Sequence, residues 1–212
     1  MDSIFKVIID SWEHEAAIPG RFAFGKPGTD GPFATSDNVS PRVSWIGAPE
    51  GTKSFALVCH DPDVPSVGDD VNQEGKTVSA DLPRVDFYHW VRVDIPAAAY
   101  ELQEGAGSNG ITPRGKPTGE ADLGIDGQNT YTNWFAGDSD MEGVYGAYDG
   151  PCPPWNDSIP HRYYFTVYAL DVDTLGLSGD FTGDDAIEAM KGHVLSKASH
   201  MGTYSMNPQV SV

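Results

Sequence analysis

The sequence predicts a fold built mainly from β-strands, with helix only near the C-terminal end. Its 24 glycines and 16 prolines in 212 residues interrupt the chain too often for a helical bundle. Its apolar residues come in short runs of strand length, and 39% hydrophobic content with 11% aromatics is enough for a packed interior. At this length, residues 1–212 fit one domain with a real core.

Taken in order, Ile4 to Ile9 reads as a first strand and Arg21 to Phe24 as a second, separated by Pro19-Gly20. Gly25 to Pro32 is turn-rich and lacks a core-forming period. Val43 and Trp45 alternate on one face of a third strand, and Pro49-Glu-Gly51 makes the turn after it. Ser54 to His60 is the strongest strand of the first half, and its near-continuous apolar run Phe55-Ala-Leu-Val-Cys59 predicts burial on both faces. Directly after it, Asp61-Pro62-Asp63-Val64-Pro65 interleaves two carboxylates with two prolines. Each proline fixes its own φ and restricts its predecessor, so a rigid acidic corner is expected.

Residues 66–86 are polar and loop-like, and read as an insertion or cover over one end of the sheet. Phe87 to Ile95 returns to strand, with Phe87, His89, Val91 and Val93 on one face and Tyr88, Trp90, Arg92 and Asp94 on the other. From Glu104 to Pro160 no period survives, but Tyr131, Trp134, Phe135, Tyr145, Tyr148 and Trp155 predict a locally packed loop that lines something. His161 to Leu170 is a long strand. From Asp184 onward, Ala186, Ile187, Met190, Val194, Leu195 and Ala198 fall at helical spacing, predicting one or two helices with a break at Gly192.

The formal charge of −18 sets 31 acidic against 13 basic residues. Nucleic acid is excluded as a partner on that balance, because phosphate backbones are held mainly by Lys and Arg. Anionic membrane surfaces are disfavoured for the same reason. The apolar patch before Gly20 is too short and too acidic for a signal peptide or a membrane span. Cys59 and Cys152 have the spacing of neither a disulfide framework nor a zinc site, which points to free thiols and the cytoplasm, with a single bridge between them left open.

Three separated segments carry the chemistry. Asp61, His89 and His161 could form a polar pocket at strand ends, with a carboxylate orienting an imidazole that faces an anion. The same set could bind a metal, although no HxH or HExxH spacing supports it, and no G-x-S-x-G elbow supports a hydrolase. No cofactor is called for. Asp138-Ser-Asp140-Met-Glu142 followed by Asp149 has carboxylate spacing reminiscent of a calcium loop, but its flanks are not helical, and a solvated loop is the plainer reading. Gly150-Pro-Cys-Pro153-Pro154 is a stiff turn able to present a fixed amide and an apolar wall.

These motifs, in order, resemble the phosphatidylethanolamine-binding proteins: Asp61-Pro-Asp-x-Pro65, His89-Trp90, Tyr148-x-Gly-Pro-x-Pro-Pro154, His161-Arg-Tyr163 and Gly202-Thr-Tyr204. The likeness is to the bacterial and archaeal Raf-kinase-inhibitor-like branch, and runs from about Asn38 to Tyr204. The resemblance implies a Greek-key β-sandwich with C-terminal helices, and a small cavity for phosphate-like anions or phospholipid head groups. It maps Asp61, His89, Gly150, His161 and Tyr163 onto the anion pocket, with Tyr148 and Pro153 at the rim. Asp63 and Arg162 are expected to pair as a structural brace. The expected role is non-catalytic binding. Its alternatives are an inhibitor or scaffold for a kinase or protease acting through surface loops, and a hydrolase or metal-assisted enzyme on the same pocket. Two features depart from the pattern: the long 66–86 segment, and Tyr204-Ser-Met-Asn207, which lacks a basic residue after the tyrosine.

Overall fold

A computed structural model describes residues 4–212. Its strands are β1 (Lys6–Ile8), β2 (Gly25–Lys26), β3 (Ala34–Thr35), β4 (Val43–Ile46), β5 (Ser54–Pro65), β6 (Arg84–Pro96), β7 (Glu101–Leu102), β8 (Gly115–Lys116), β9 (Gly119–Glu120), β10 (Ile125–Asp126), β11 (Val144–Tyr145), β12 (His161–Leu170) and β13 (Val194–Tyr204). Two short helices, α1 (Tyr131–Trp134) and α2 (Gly183–Ala189), accompany them.

The central sheet runs β13-β12-β5-β6-β10-β9, and all its neighbouring pairs are antiparallel. Within it β5, β6 and β10 follow in order and β12 returns to the free side of β5, which is Greek-key order. The smaller sheet β1-β4-β7 covers one face, where Val7, Val43, Trp45 and Leu102 pack with Leu57, Trp90, Phe165 and Val167. On the other face Ala56, Val58, Val91 and Val93 lie against Phe181, Ala186 and Met190 around α2. β5 is therefore buried on both sides, as its apolar run predicts, and the mainly β expectation is met.

Four local expectations change. Arg21–Phe24 is not a strand: a 3₁₀ turn spans Gly20–Phe22, closed by Phe22 N–H to the Pro19 carbonyl and Ala23 N–H to Gly20. The acidic segment after Cys59 does not end β5 but continues it to Pro65, with the pairing register shifting between Asp61 and Val64. That irregularity lets Pro62 sit inside a strand although it has no N–H to pair. In β6 the strict alternation fails because the partner register skips His89: Cys59 faces Trp90 and His60 faces Tyr88. Trp90 thus joins the cluster of Tyr148 and Tyr163, while Val91 and Val93 turn to the α2 side.

The fourth change is at the C-terminus. Only Gly183–Ala189 is helical, and Val194–Tyr204, read from its spacing as helix, is β13. Gly192 adopts φ +82°, which ends the helical course, and β13 then pairs with β12 along its length, so ladder pairing overrides local spacing. The start of α2 is fixed by a reciprocal cap between Thr182 and Asp185. Gly183 is required there because a Cβ would lie 2.3 Å from the Tyr88 ring.

Residues 66–83 contain neither helix nor strand, yet they are fastened to the sheet. The buried Asn156 side chain donates to the carbonyls of Asp70 (2.9 Å), Gln73 (3.3 Å) and Lys76 (3.1 Å). Val78 is fully buried and bridges Asp157.

A buried ion pair joins β6 to β10. Arg92, 2% exposed, donates through Nε (2.7 Å) and Nη2 (2.6 Å) to the two Asp126 oxygens, and Trp90 Nε1 adds a third bond to the same carboxylate. Asp126→Ala is expected to lower stability by about 3–5 kcal/mol, because it strands a buried cation. The pair Arg92→Met with Asp126→Leu is expected to lose far less, and denaturant unfolding of both variants checks this.

Candidate functional site

The site forms where β5, β6 and the start of β12 meet. Asp61 and Asp63 lie two residues apart in the irregular stretch of β5, and their carboxylates go to different partners. Asp61, 1% exposed, caps its own turn by accepting the Asp63 amide at 2.7 Å through Oδ1 and turns Oδ2 to His161. Asp63 accepts from Arg162 three times: from Nε at 2.9 Å, Nη2 at 2.7 Å and the backbone amide at 2.9 Å. Burial works against the charged form of Asp63, but these bonds win and hold its carboxyl below the usual range.

His161 is fully buried and pinned on both sides. Nδ1 donates to Asp61 at 2.7 Å and Nε2 to Asp157 at 3.0 Å. Two carboxylate acceptors require a proton on each ring nitrogen, so His161 is an imidazolium. Burial opposes that charge, but the Asp61 charge and the bonds to Asp157 and Asp61 outweigh it and raise the pKa to about 9. Asp157 in turn accepts from Arg84 at 2.6 and 3.1 Å, and Arg84 also donates to the Asp63 carbonyl at 2.8 Å. The chain Arg84–Asp157–His161–Asp61 alternates two cations with two anions and sums to neutrality.

Arg84 and Asp157 were missed from sequence. Asp157 stands four residues before His161, and Arg84 is the one Lys or Arg between Lys76 and Arg92. That i, i+4 spacing and that isolated basic residue are the sequence signals that mark them.

His89 occupies the residue that the β6 register skips, and is 3% exposed. Its Nδ1–H donates to the Asp149 carbonyl at 2.7 Å, while the Asp149 amide donates back to the His89 carbonyl at 3.0 Å. The other nitrogen, Nε2, has no protein partner among the described residues, and burial lowers the ring's pKa, so the neutral ring presents a lone pair at Nε2. Asp149 is itself anchored by Asn38 (2.8 Å), Asn129 (2.9 Å) and Lys116 (2.7 Å).

Tyr163 completes the floor. It is 1% exposed, its ring packs edge-on to His89 with centroids 5.2 Å apart, and its hydroxyl makes no hydrogen bond among the described residues. Burial, and then the Asp61 charge, push its phenol well up.

These groups line a cavity of about 240 Å³ whose floor is Asp61, His89, His161 and Tyr163. The walls are largely apolar, with Phe24, Val64, Phe87, Tyr131 and Phe135 lining the interior together with the Pro153-Pro154 turn. At the mouth Phe33, Val67 and Trp134 remain exposed at 46%, 49% and 53%.

Two residues mapped to the pocket stand behind it. The Gly150 amide is taken by Asn38 Oδ1 at 2.8 Å, and a Cβ there would lie 2.0 Å from the Phe22 carbonyl, so the glycine serves close packing. Tyr148 is fully buried, donates to the Phe22 carbonyl at 2.7 Å and packs against Trp90. Tyr204 likewise bonds Gly25 at 3.0 Å and does not line the cavity. In the acidic loop, Asp138 caps the amides of Asp140 and Met141, while Asp149 is buried with Lys116, so the two do not share a site. Cys59 and Cys152 are free thiols.

The phosphatidylethanolamine-binding protein family model matches residues 9–205. A UPF0098 protein of Methanothermobacter thermautotrophicus is 36% identical over 168 residues, covering 79% of this chain and 83% of that one. UPF0098 protein YbhB of Escherichia coli is 29% identical over 201 residues, covering 94% and 99%. Among solved structures, a putative phosphatidylethanolamine-binding protein homolog from Chlamydia trachomatis superposes with a TM-score of 0.65 at 25% identity, covering 97% of this chain and 99% of that one. E. coli YbcL gives 0.66 at 24% identity, over 95% and 98%, and supports the fold alone.

Two outcomes are expected here. The folded pKa of His161, about 9, lies above its unfolded value, so its contribution is complete below about pH 6.5 and is lost as pH rises through 9. Unfolding free energy is therefore expected to fall by about 3 kcal/mol across that window, and His161→Gln to flatten the slope in denaturant titrations. Tyr163→Phe removes a hydroxyl without a partner, so it is expected to leave stability unchanged or raise it slightly, in contrast to Tyr148→Phe.

Proposed function

Because the chain belongs to the phosphatidylethanolamine-binding protein family, we propose that it is a binding protein whose cavity between β5, β6 and β12 receives a phosphate-like head group, free or carried by a lipid. The observation that carries this reading is the buried Tyr163 hydroxyl: a donor without a partner, on the polar floor of an apolar-walled cavity. Leaving such a group unpaired costs about 1–3 kcal/mol, which a ligand oxygen would recover.

Apolar walls rising to exposed Phe33, Val67 and Trp134 suit a ligand with a polar head and a hydrocarbon body. No helix among the described residues is long and apolar enough to cross a membrane. Against a protein charge of −18, attraction must come from donors inside the cavity and not from the global field. The pictured role for both histidines narrows, since His161 has no N–H left to offer.

A second reading, an inhibitor or scaffold for a protein partner, rests on the same three exposed side chains at the mouth. In that case Phe33→Ser with Trp134→Ser would abolish inhibition of a purified kinase or protease.

Titration with O-phosphorylethanolamine, followed by the ring signals of His89 and Tyr163 in NMR, tests the leading reading. Tyr163→Phe is expected to weaken binding about tenfold or more. Silent His89 and Tyr163 signals at both pH 6 and pH 8 would remove the head-group reading.

A further inference from the structure

A second cavity, of about 370 Å³, opens on the flank of the sandwich between β7 of the small sheet and the β6–β10 side of the central one. It shares no lining residue with the cavity at Asp61 and Tyr163. Small-molecule clefts span about 300–1,000 Å³, and this one falls within that range. Its apolar walls come from Ala99, Leu102 and Leu123, and Tyr100 stands exposed at the edge.

The buried end of the cleft is Arg92. Its side chain is only 2% exposed, yet it borders the cavity. Nε and Nη2 are spent on Asp126, and Nη2 also reaches the Ala106 carbonyl at 3.2 Å. Nη1 has no hydrogen-bond partner among the described residues, so two N–H donors of a buried guanidinium stay open. The ion pair that joins β6 to β10 is complete without them. A buried donor left unpaired is costly, and a ligand oxygen in the cleft would recover that cost.

The charges around the cleft decide what kind of oxygen fits. Asp126 already balances Arg92, and Arg42 is divided between Glu101 and Asp10. Asp122, exposed between β9 and β10, has no cationic partner among the described residues, which leaves surplus negative charge at the mouth. A lone carboxylate would gain Arg92 at one end but meet repulsion from Asp122 and Glu101 at the other. A carbonyl oxygen accepts from Nη1 without adding charge, and an ammonium group answers Asp122. We propose that this cleft binds a small apolar amine carrying a carbonyl group, of which an aliphatic amino-acid amide is the simplest form. The carbonyl accepts from Arg92 Nη1, the hydrocarbon lies against Leu102 and Leu123, and the ammonium faces Asp122.

NMR titration of the full chain with leucinamide at pH 6.5, where its amine is protonated, tests this through the Leu123 methyl and Arg92 Nε–H signals. Both are expected to shift while the His89 and Tyr163 ring signals stay in place. Two analogues are expected to bind about tenfold more weakly: 3-methylbutylamine, which lacks the carbonyl, and N-acetylleucine, which carries a carboxylate and no ammonium. Arg92→Lys keeps a cation beside Asp126 but removes Nη1, and is expected to bring leucinamide down to the level of 3-methylbutylamine. Asp122→Asn changes an exposed position and so does not depend on the buried pair for folding; it is expected to weaken leucinamide about threefold. Unmoved Leu123 and Arg92 signals would overturn the proposal, as would movement of the His89 or Tyr163 rings in their place. It would equally fall if N-acetylleucine bound as tightly as leucinamide, or if Asp122→Asn bound leucinamide as the wild-type chain does.

Discussion

The contact on which the rest depends is the imidazolium of His161 held between Asp61 and Asp157. A cation with no exposure is tolerated only because two carboxylates and, behind them, Arg84 return the desolvation cost through short charged hydrogen bonds. That chain ties β5, the entry to β6, the Asn156-Asp157 turn and β12 at one point. The cavity floor is therefore a rigid, electrically balanced surface, and its remaining valences, at Tyr163 and His89, are set in advance of any ligand.

The irregularities of β5 and β6 are what aim these groups. A regular ladder would have alternated Phe87, His89, Val91 and Val93 on one face, burying His89 among aliphatics. The skipped residue instead lets His89 and Trp90 serve the cavity and its packed surround, while Val91 and Val93 cover the opposite core. The Asp61-Pro62-Asp63 stretch does the same for β5, sending one carboxylate inward and the next to Arg162. The protein thus gains a polar site inside a hydrophobic sheet without an unpaired charge in the cavity.

Much of this was legible in the residues. The run Phe55 to Cys59 announced a strand buried on both faces, His161 to Leu170 has the bounds read from its pattern, and the Asp61-Pro62-Asp63 stretch pointed to the irregular part of β5 beside the cavity. The remainder depended on pairing that no local pattern encodes. Val194, Leu195 and Ala198 fit a helical stripe, but β12 offers them a complete ladder, and the long-range pairing wins. Arg84 and Asp157 lie in loop-like sequence and become part of the site only when β5 and β12 bring their ends together. Gly150 looked like an anion-binding amide because its neighbours are stiff, yet Asn38, more than a hundred positions away in the chain, has already claimed it.

The fastening of residues 66–83 in part through one side-chain amide has a consequence for the protein's lifetime as a molecule. Asn156 offers its amide nitrogen to three carbonyls at once, and its neighbour Asp157 anchors the charge chain. Spontaneous deamidation would replace that nitrogen with an anionic oxygen facing three oxygens, turning attraction into repulsion by a change of one atom. The loop carrying Val67 and Val71 would lose three of its tethers and keep those through Asn72, Val78 and Ser79. Chemical ageing at this one position would then act on the cavity wall.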